Sequence, residues 1–132
     1  MSETRHFILR HHGEIDTNRL MSMIARRDVA YIDADVFDFR GYPTSENATA
    51  KVNLDLVLAS IISLRHVPRA WMSQRRAVAI LPPKSTPQME AALAQLRSFG
   101  LLCVVVVESD DEVLSARTMG AQLLDAPVLA LE

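Results

Sequence analysis

Two uninterrupted apolar runs, residues 77–81 and 101–107, most constrain what this chain can fold into. Runs of this length and character are typical of strands that are buried in a sheet. One helix-length segment separates them, with Thr86 placed to cap the helix and Pro87 at its first position. Gly100 follows as the residue that ends the helix. Two buried strands joined by one helix predict a parallel strand pair.

The same alternation of strand and helix extends towards the N-terminus. Residues 6–10 form a short apolar run, and Asp16 or Thr17 is placed to cap a first helix that carries Leu20, Met21 and Ile24. Residues 29–39 alternate with apolar side chains on both faces, which predicts a central strand. Residues 46–65 have the pattern of a long second helix.

After the second apolar run, Ser109 and Glu112 have the capping-box spacing that opens a fourth helix. Elements in this order predict an α/β fold: a mostly parallel four- or five-stranded sheet with helices packed against it. No repeat, linker or charge block divides the chain, so we expect residues 1–132 to form a single domain.

Composition excludes several classes of protein. Of the 132 residues, 49% are hydrophobic and 23% are charged, which is typical of a chain that buries a core without disulfides. The formal net charge of −2 provides no drive towards nucleic acid. The longest mostly apolar stretch, residues 52–64, is too short and too polar to span a bilayer. Since no secretory signal is visible, we expect a cytoplasmic protein.

Three sequence segments carry a resemblance to a known family. They are the Gly-Glu-Ile-Asp of residues 13–16, the strand that ends in the Asp-Phe-Arg-Gly of residues 38–41, and the strand–helix–strand unit of residues 76–112. In this order they resemble the STAS fold, named for sulphate transporters and anti-sigma-factor antagonists. The chain is most similar to small stand-alone bacterial STAS-like proteins, which are also similar to the CRAL-TRIO lipid-binding fold.

The resemblance implies a regulatory or interaction loop after the second strand. Its residues in this sequence are Asp38, Arg40, Gly41, Thr44, Ser45 and Asn47. Anti-sigma-factor antagonists carry Asp-Ser-Ser-Gly here and are phosphorylated on serine, whereas this chain lacks that motif. Thr44 and Ser45 hold a similar place in this sequence. We expect their main role to be capping of the second helix, with phosphorylation at most a secondary role.

The second helix is more apolar than one sheet face requires. Leu58 and Ile61 belong to one stripe, and Leu56 and Ile62 lie on neighbouring faces. Two interpretations stay open: a helix sunk in a groove of its own domain, or an interface with a protein partner or with a second copy in a homodimer. By analogy with the lipid-binding relatives, Leu56, Ile62 and Trp71 would instead lie near a pocket for a small apolar ligand.

Other clusters of polar residues favour no enzyme class. Asp33, Asp35 and Asp38 would suit a metal or a phosphoacceptor site if Lys84 lay beside them. His6, His11, His12 and Glu14 are interpreted as surface residues, since they lack zinc-site spacing. We therefore expect a non-enzymatic regulatory or protein-interaction module with no cofactor and no metal. A carrier of a small apolar ligand is the alternative, and a metal-dependent enzyme or phosphoacceptor is the least favoured.

Overall fold

The computed structural model describes residues 6–40, 54–63 and 76–131. They form five strands and four helices. The strands are β1 (Phe7–Arg10), β2 (Asp35–Asp38), β3 (Ala77–Leu81), β4 (Leu102–Val107) and β5 (Val128–Ala130). The helices are α1 (Thr17–Arg27), α2 (Leu54–Ile62), α3 (Pro87–Ser98) and α4 (Asp110–Arg117). Among these described helices, none combines the length and the apolar character that crossing a membrane requires.

All five strands pair in one parallel sheet, in the order β2-β3-β4-β1-β5. In register, Ile80 of β3 lies beside Val104 of β4, and Ile8 of β1 lies beside Val105. The predicted α/β class with a mostly parallel sheet is therefore confirmed. The adjacent β3 and β4 are the two apolar runs, and every residue of both strands is buried.

The strand order explains which helices cover which face. The connection from β1 to β2 crosses the sheet in one direction, whereas the three later connections run the opposite way. Because parallel crossovers are right-handed, α1 must lie on one face and the other helices on the opposite face. The core confirms this: Leu20 and Ile24 of α1 pack with Phe7, and Leu58 of α2 and Leu96 of α3 pack with Ile8.

The predicted helix starts are confirmed by hydrogen bonds. Asp16 caps α1, since its carboxylate accepts from the N–H groups of Asn18 and Arg19. The Thr86 hydroxyl accepts from Met89 N at 3.1 Å, and Pro87 holds the first position of α3. Ser109 accepts from Glu112 N at 3.3 Å at the start of α4. Each cap satisfies a backbone donor that the helix itself leaves unpaired.

Two segments differ from the prediction. Residues 29–39 were predicted as one strand, but Val29–Tyr31 form a 3₁₀ turn and the strand begins only at Asp35. The turn forms because the Asp28 carboxylate accepts from Ala30 N at 3.0 Å, and because the buried Tyr31 hydroxyl donates to Gly100 O at 3.0 Å. The fifth strand, β5, follows Pro127, where the sequence pattern indicates only a tail, because three apolar residues are too few to show the alternation of a strand.

We expect Gly100→Ala to lower the free energy of unfolding by about 1–2 kcal/mol, because alanine is strained in a left-handed conformation. Gly100 has a φ of +80°, and an added Cβ would lie 3.1 Å from Arg76 Nη1. Gly120→Ala is the control, since Gly120 is extended at φ −179° and its added Cβ would make ordinary contact with Leu93. Urea unfolding checks this, and equal losses in both variants would contradict it.

Candidate functional site

The carboxyl edge of the sheet has a switch point between β1 and β4. The two strands are neighbours, but β1 leads to α1 on one face and β4 leads to α4 on the other. The chains that leave them therefore diverge, and ligands of open α/β sheets bind in such crevices. A ligand site is therefore expected at this edge of the sheet.

Polar side chains at and just beyond the carboxyl ends of β1 and β4 pair with one another across this switch point. Arg10 Nη2 lies 2.6 Å from Asp110 Oδ1, and His12 Nδ1 lies 3.0 Å from Glu108 Oε1. Both pairs are solvent-exposed, with the Asp110 side chain 92% accessible. Exposed pairs of this kind contribute little to stability, so they leave these groups available for other contacts.

A buried ion pair lies at the carboxyl end of β2. Arg40 Nε donates to Asp38 Oδ1 at 3.1 Å, and Arg40 Nη2 donates to Asp38 Oδ2 at 2.9 Å. The side chains are only 8% and 3% exposed. Arg40 Nη1 also donates to Gly13 O at 3.1 Å, in the loop after β1. Since β1 and β2 are not neighbours in the sheet, this arginine ties together two loops from separate strands.

The predicted interaction loop is thus described only at its start. Asp38 and Arg40 form the buried pair, whereas Gly41, Thr44, Ser45 and Asn47 lie outside the described residues, as does Trp71. Leu56 and Ile62 lie on α2 and differ in environment. Leu56 is 67% exposed, and Ile62 is half-buried against the core.

The three acidic residues of the metal or phosphoacceptor interpretation do not meet. Asp33 lies in the turn before β2, Asp35 is the first residue of that strand, and Asp38 is the last. At roughly 3.3 Å per residue, Asp35 and Asp38 lie about 10 Å apart along the strand. Nor do the histidines cluster, because His6 precedes β1 and His11 follows it. Across the described parts of the chain, no three His, Cys, Asp or Glu side chains are grouped to hold a metal.

A cavity of about 160 Å³ lies near the amino ends of β1 and β4, away from the predicted site. It is bounded by α3, by the starts of the two strands, and by the 3₁₀ turn Ala121–Leu123. Its polar lining includes His6, Arg97 and Gln122, and neither Leu56 nor Ile62 lines it. No pattern in the sequence predicts this site, because these three residues come from distant segments with no motif spacing.

Two titratable groups in the cavity wall are perturbed. Burial raises the pKa of the Cys103 thiol to about 12, so this cysteine is protonated at neutral pH. Burial, and then the nearby charge of Arg97, lower the pKa of His6, whereas its hydrogen bond with Gln122 opposes the shift. The imidazole is therefore neutral at neutral pH, and Arg97 provides the positive charge of the cavity.

Comparisons of this chain with protein-family models, with curated proteins and with solved structures gave no match.

Proposed function

We propose that this chain is a non-enzymatic regulatory or protein-interaction module of STAS-like fold, and that the exposed side of α2 contacts its partner. The observation that carries the proposal is the position of Leu56, which is 67% exposed on a helix whose Leu58 and Ile61 are buried. A helix that is apolar on its buried side needs no large apolar residue on its outer side. An exposed leucine in this place supports a contact surface.

The Asp38–Arg40 pair supports the second part of the surface, the loop that begins after β2. The buried pair and its hydrogen bond to Gly13 O hold the chain at residue 40 in a fixed position. A binding segment that starts from a rigid point loses less conformational entropy when it binds. The proposed partner surface therefore combines residues 41–47 with the outer side of α2.

The test is a tagged pull-down from native lysate together with light scattering at micromolar concentration. Wild-type protein is expected to retain a specific partner or to form a homodimer, and Leu56→Glu is expected to lose it. Leu114→Glu is the matched control, because Leu114 is 65% exposed on α4. Retention of the partner or the dimer by Leu56→Glu would contradict the proposed surface. An equal loss in both variants would do so too.

A second candidate function is a carrier of a small apolar ligand, and the cavity at the amino ends of β1 and β4 favours it. Leu93, Ala94 and Leu123 provide apolar lining. Small-molecule sites in proteins are mostly apolar and have a few polar groups that fix the orientation of the ligand. Native mass spectrometry of the purified chain tests this function, and bare protein would count against it.

A further inference from the structure

The side chain of His6 connects the amino end of β1 to the neighbouring strand β4. The backbone N–H of Cys103 donates to His6 Nδ1 at 2.9 Å, one residue before the first register pair of the two strands, Phe7 with Val104. A backbone N–H can only donate, so Nδ1 carries no proton and the imidazole is neutral. The single proton of the neutral imidazole is then on Nε2.

The second ring nitrogen of His6 faces the 3₁₀ turn Ala121–Leu123. His6 Nε2 lies 2.8 Å from the side-chain amide of Gln122, whose oxygen can accept the Nε2 proton. That bond is compatible with both protonation states of the imidazole, whereas the bond at Nδ1 requires the neutral state. Protonation of His6 therefore breaks its contact with β4 and leaves its contact with the turn.

The donor that His6 satisfies is buried. Cys103 is only 1% exposed, and its N–H belongs to a strand whose residues are all buried. If Nδ1 carried a proton, two donors would face each other at this short distance, and the N–H would lack an acceptor. The imidazolium must therefore leave its place, and water can then reach the N–H through the cavity that both residues line.

The charged groups around His6 do not remove this conflict. Arg97 and Glu90 line the cavity with opposite charges from exposed positions on α3, and among the described residues no carboxylate pairs with His6. The Cys103 thiol is protonated at neutral pH, because burial raises its pKa to about 12. Burial, and then Arg97, lower the pKa of His6 from its ordinary value of 6.5, and the bond with Gln122 opposes this shift. Because the closed state binds the proton more weakly than an opened one, opening becomes more favourable as the pH falls below 6.5.

We propose that His6 is a pH-sensitive switch that holds the amino end of β1 against β4 at neutral pH and releases it in mild acid. Release exposes Cys103 and opens the cavity beside it, while the register pairs from Phe7 to Arg10 keep β1 in the sheet. This inference goes beyond the proposed function and does not depend on the outer side of α2.

The experiment uses Cys103 as the reporter, because it is the only cysteine of the chain and is buried. The full chain is reacted with dithiodipyridine at about pH 7.5 and about pH 5.5, on either side of the ordinary histidine pKa. Each rate is divided by the rate of the urea-unfolded chain at the same pH, which cancels the ionisation of the thiol itself. The normalised rate is expected to rise by up to about tenfold in acid, because the opened state binds one more proton. Far-UV circular dichroism is expected to stay unchanged, since the opening is local.

Two histidine variants assign the effect to His6. His6→Asn keeps an acceptor near the place of Nδ1 but has no titrating group, so its normalised rate is expected to change by less than about twofold. His12→Asn is the matched control and is expected to keep the wild-type rise. The His12 side chain is 90% accessible and pairs with Glu108 at the other edge of the sheet.

NMR of the wild-type chain tests the switch even if His6→Asn does not fold. The imidazole nitrogen shifts are expected to show an unprotonated Nδ1 at neutral pH, and the Cys103 amide is expected to lose protection from exchange as His6 titrates. The proposal is overturned by a protonated Nδ1 at neutral pH, or by a wild-type normalised rate that changes by less than about twofold. It is also overturned if His6→Asn keeps the full rise, or if circular dichroism shows that the whole chain unfolds.

Discussion

Asp38→Ala is expected to lower the free energy of unfolding by about 3–5 kcal/mol, because it removes the carboxylate that accepts two hydrogen bonds from a buried guanidinium. Arg40 is only 8% exposed, and its hydrogen bond to Gly13 O does not replace those to the carboxylate, because a neutral carbonyl provides no negative charge. The Asp38 carboxylate also accepts from Arg40 N at 3.0 Å, so the turn after β2 would lose a second contact. Urea unfolding with an unchanged m-value measures the loss.

The same substitution at a solvent-exposed pair is the control. Asp110 pairs with Arg10 at the same edge of the sheet, but the Asp110 side chain is 92% accessible. Asp110→Ala is therefore expected to cost at most about 1 kcal/mol, including its effect at the start of α4. Losses in Asp38→Ala and Asp110→Ala that differ by less than about 1 kcal/mol would contradict the importance of burial for the first pair.

A double variant separates the loss of one partner from the loss of the whole ion pair. Asp38→Leu combined with Arg40→Met removes both charges and keeps apolar volume at the two positions. Because both members of the ion pair are then removed together, this double variant is expected to lose less stability than Asp38→Ala. A larger loss would mean that the hydrogen bonds of the pair, rather than the penalty for removing one partner, hold the two loops together.

The sequence predicted the fold best where a strand is buried on both faces. All the residues of β3 and β4 are apolar and buried, which is the continuous pattern expected of strands covered on both faces. The prediction failed for residues 29–34, where alternation resembles a strand. There, the capping side chain of Asp28 and the inward Tyr31 stabilise a short turn instead. Periodicity alone does not show which local hydrogen bonds a short segment will form.

The candidate sites were less predictable than the fold, for a physical reason. Asp38 and Arg40 are two residues apart, and the sequence did single them out, although as loop residues rather than as a buried pair. The cavity joins His6 to Cys103, which are 97 positions apart, and brings Arg97 and Gln122 beside them. Only the strand order places these segments together, and a sequence without motif spacing does not reveal that order.

The sequence left two interpretations of the second helix open, and the described residues of α2 carry features of both. Leu58 and Ile61 are buried in the core, as expected for a helix sunk in its own domain. Leu56 is exposed, as expected for an interface. The helix therefore has a structural side and an outer side, and the same substitution on each side separates their roles.

Leu58→Ala is expected to lower the free energy of unfolding by about 2–5 kcal/mol, because it leaves a cavity in the core. Leu56→Ala, two positions earlier and 67% exposed, is expected to change it by less than about 0.5 kcal/mol. The two variants lose the same side chain from the same helix, so their difference isolates burial from helix propensity. Urea unfolding at submicromolar concentration, where a weak dimer dissociates, measures both.

If Leu56→Ala also costs more than about 2 kcal/mol under these conditions, Leu56 is packed within the single chain and the proposed partner surface is wrong. If instead its cost appears only at higher protein concentration, the leucine is buried between two copies, because association stabilises the folded state by mass action. A small effect of Leu56→Ala at every concentration would mean that Leu56 is buried neither within the single chain nor between two copies, so the partner would be a different molecule. Loss of that partner by Leu56→Glu would then report a loss of binding rather than unfolding of the chain.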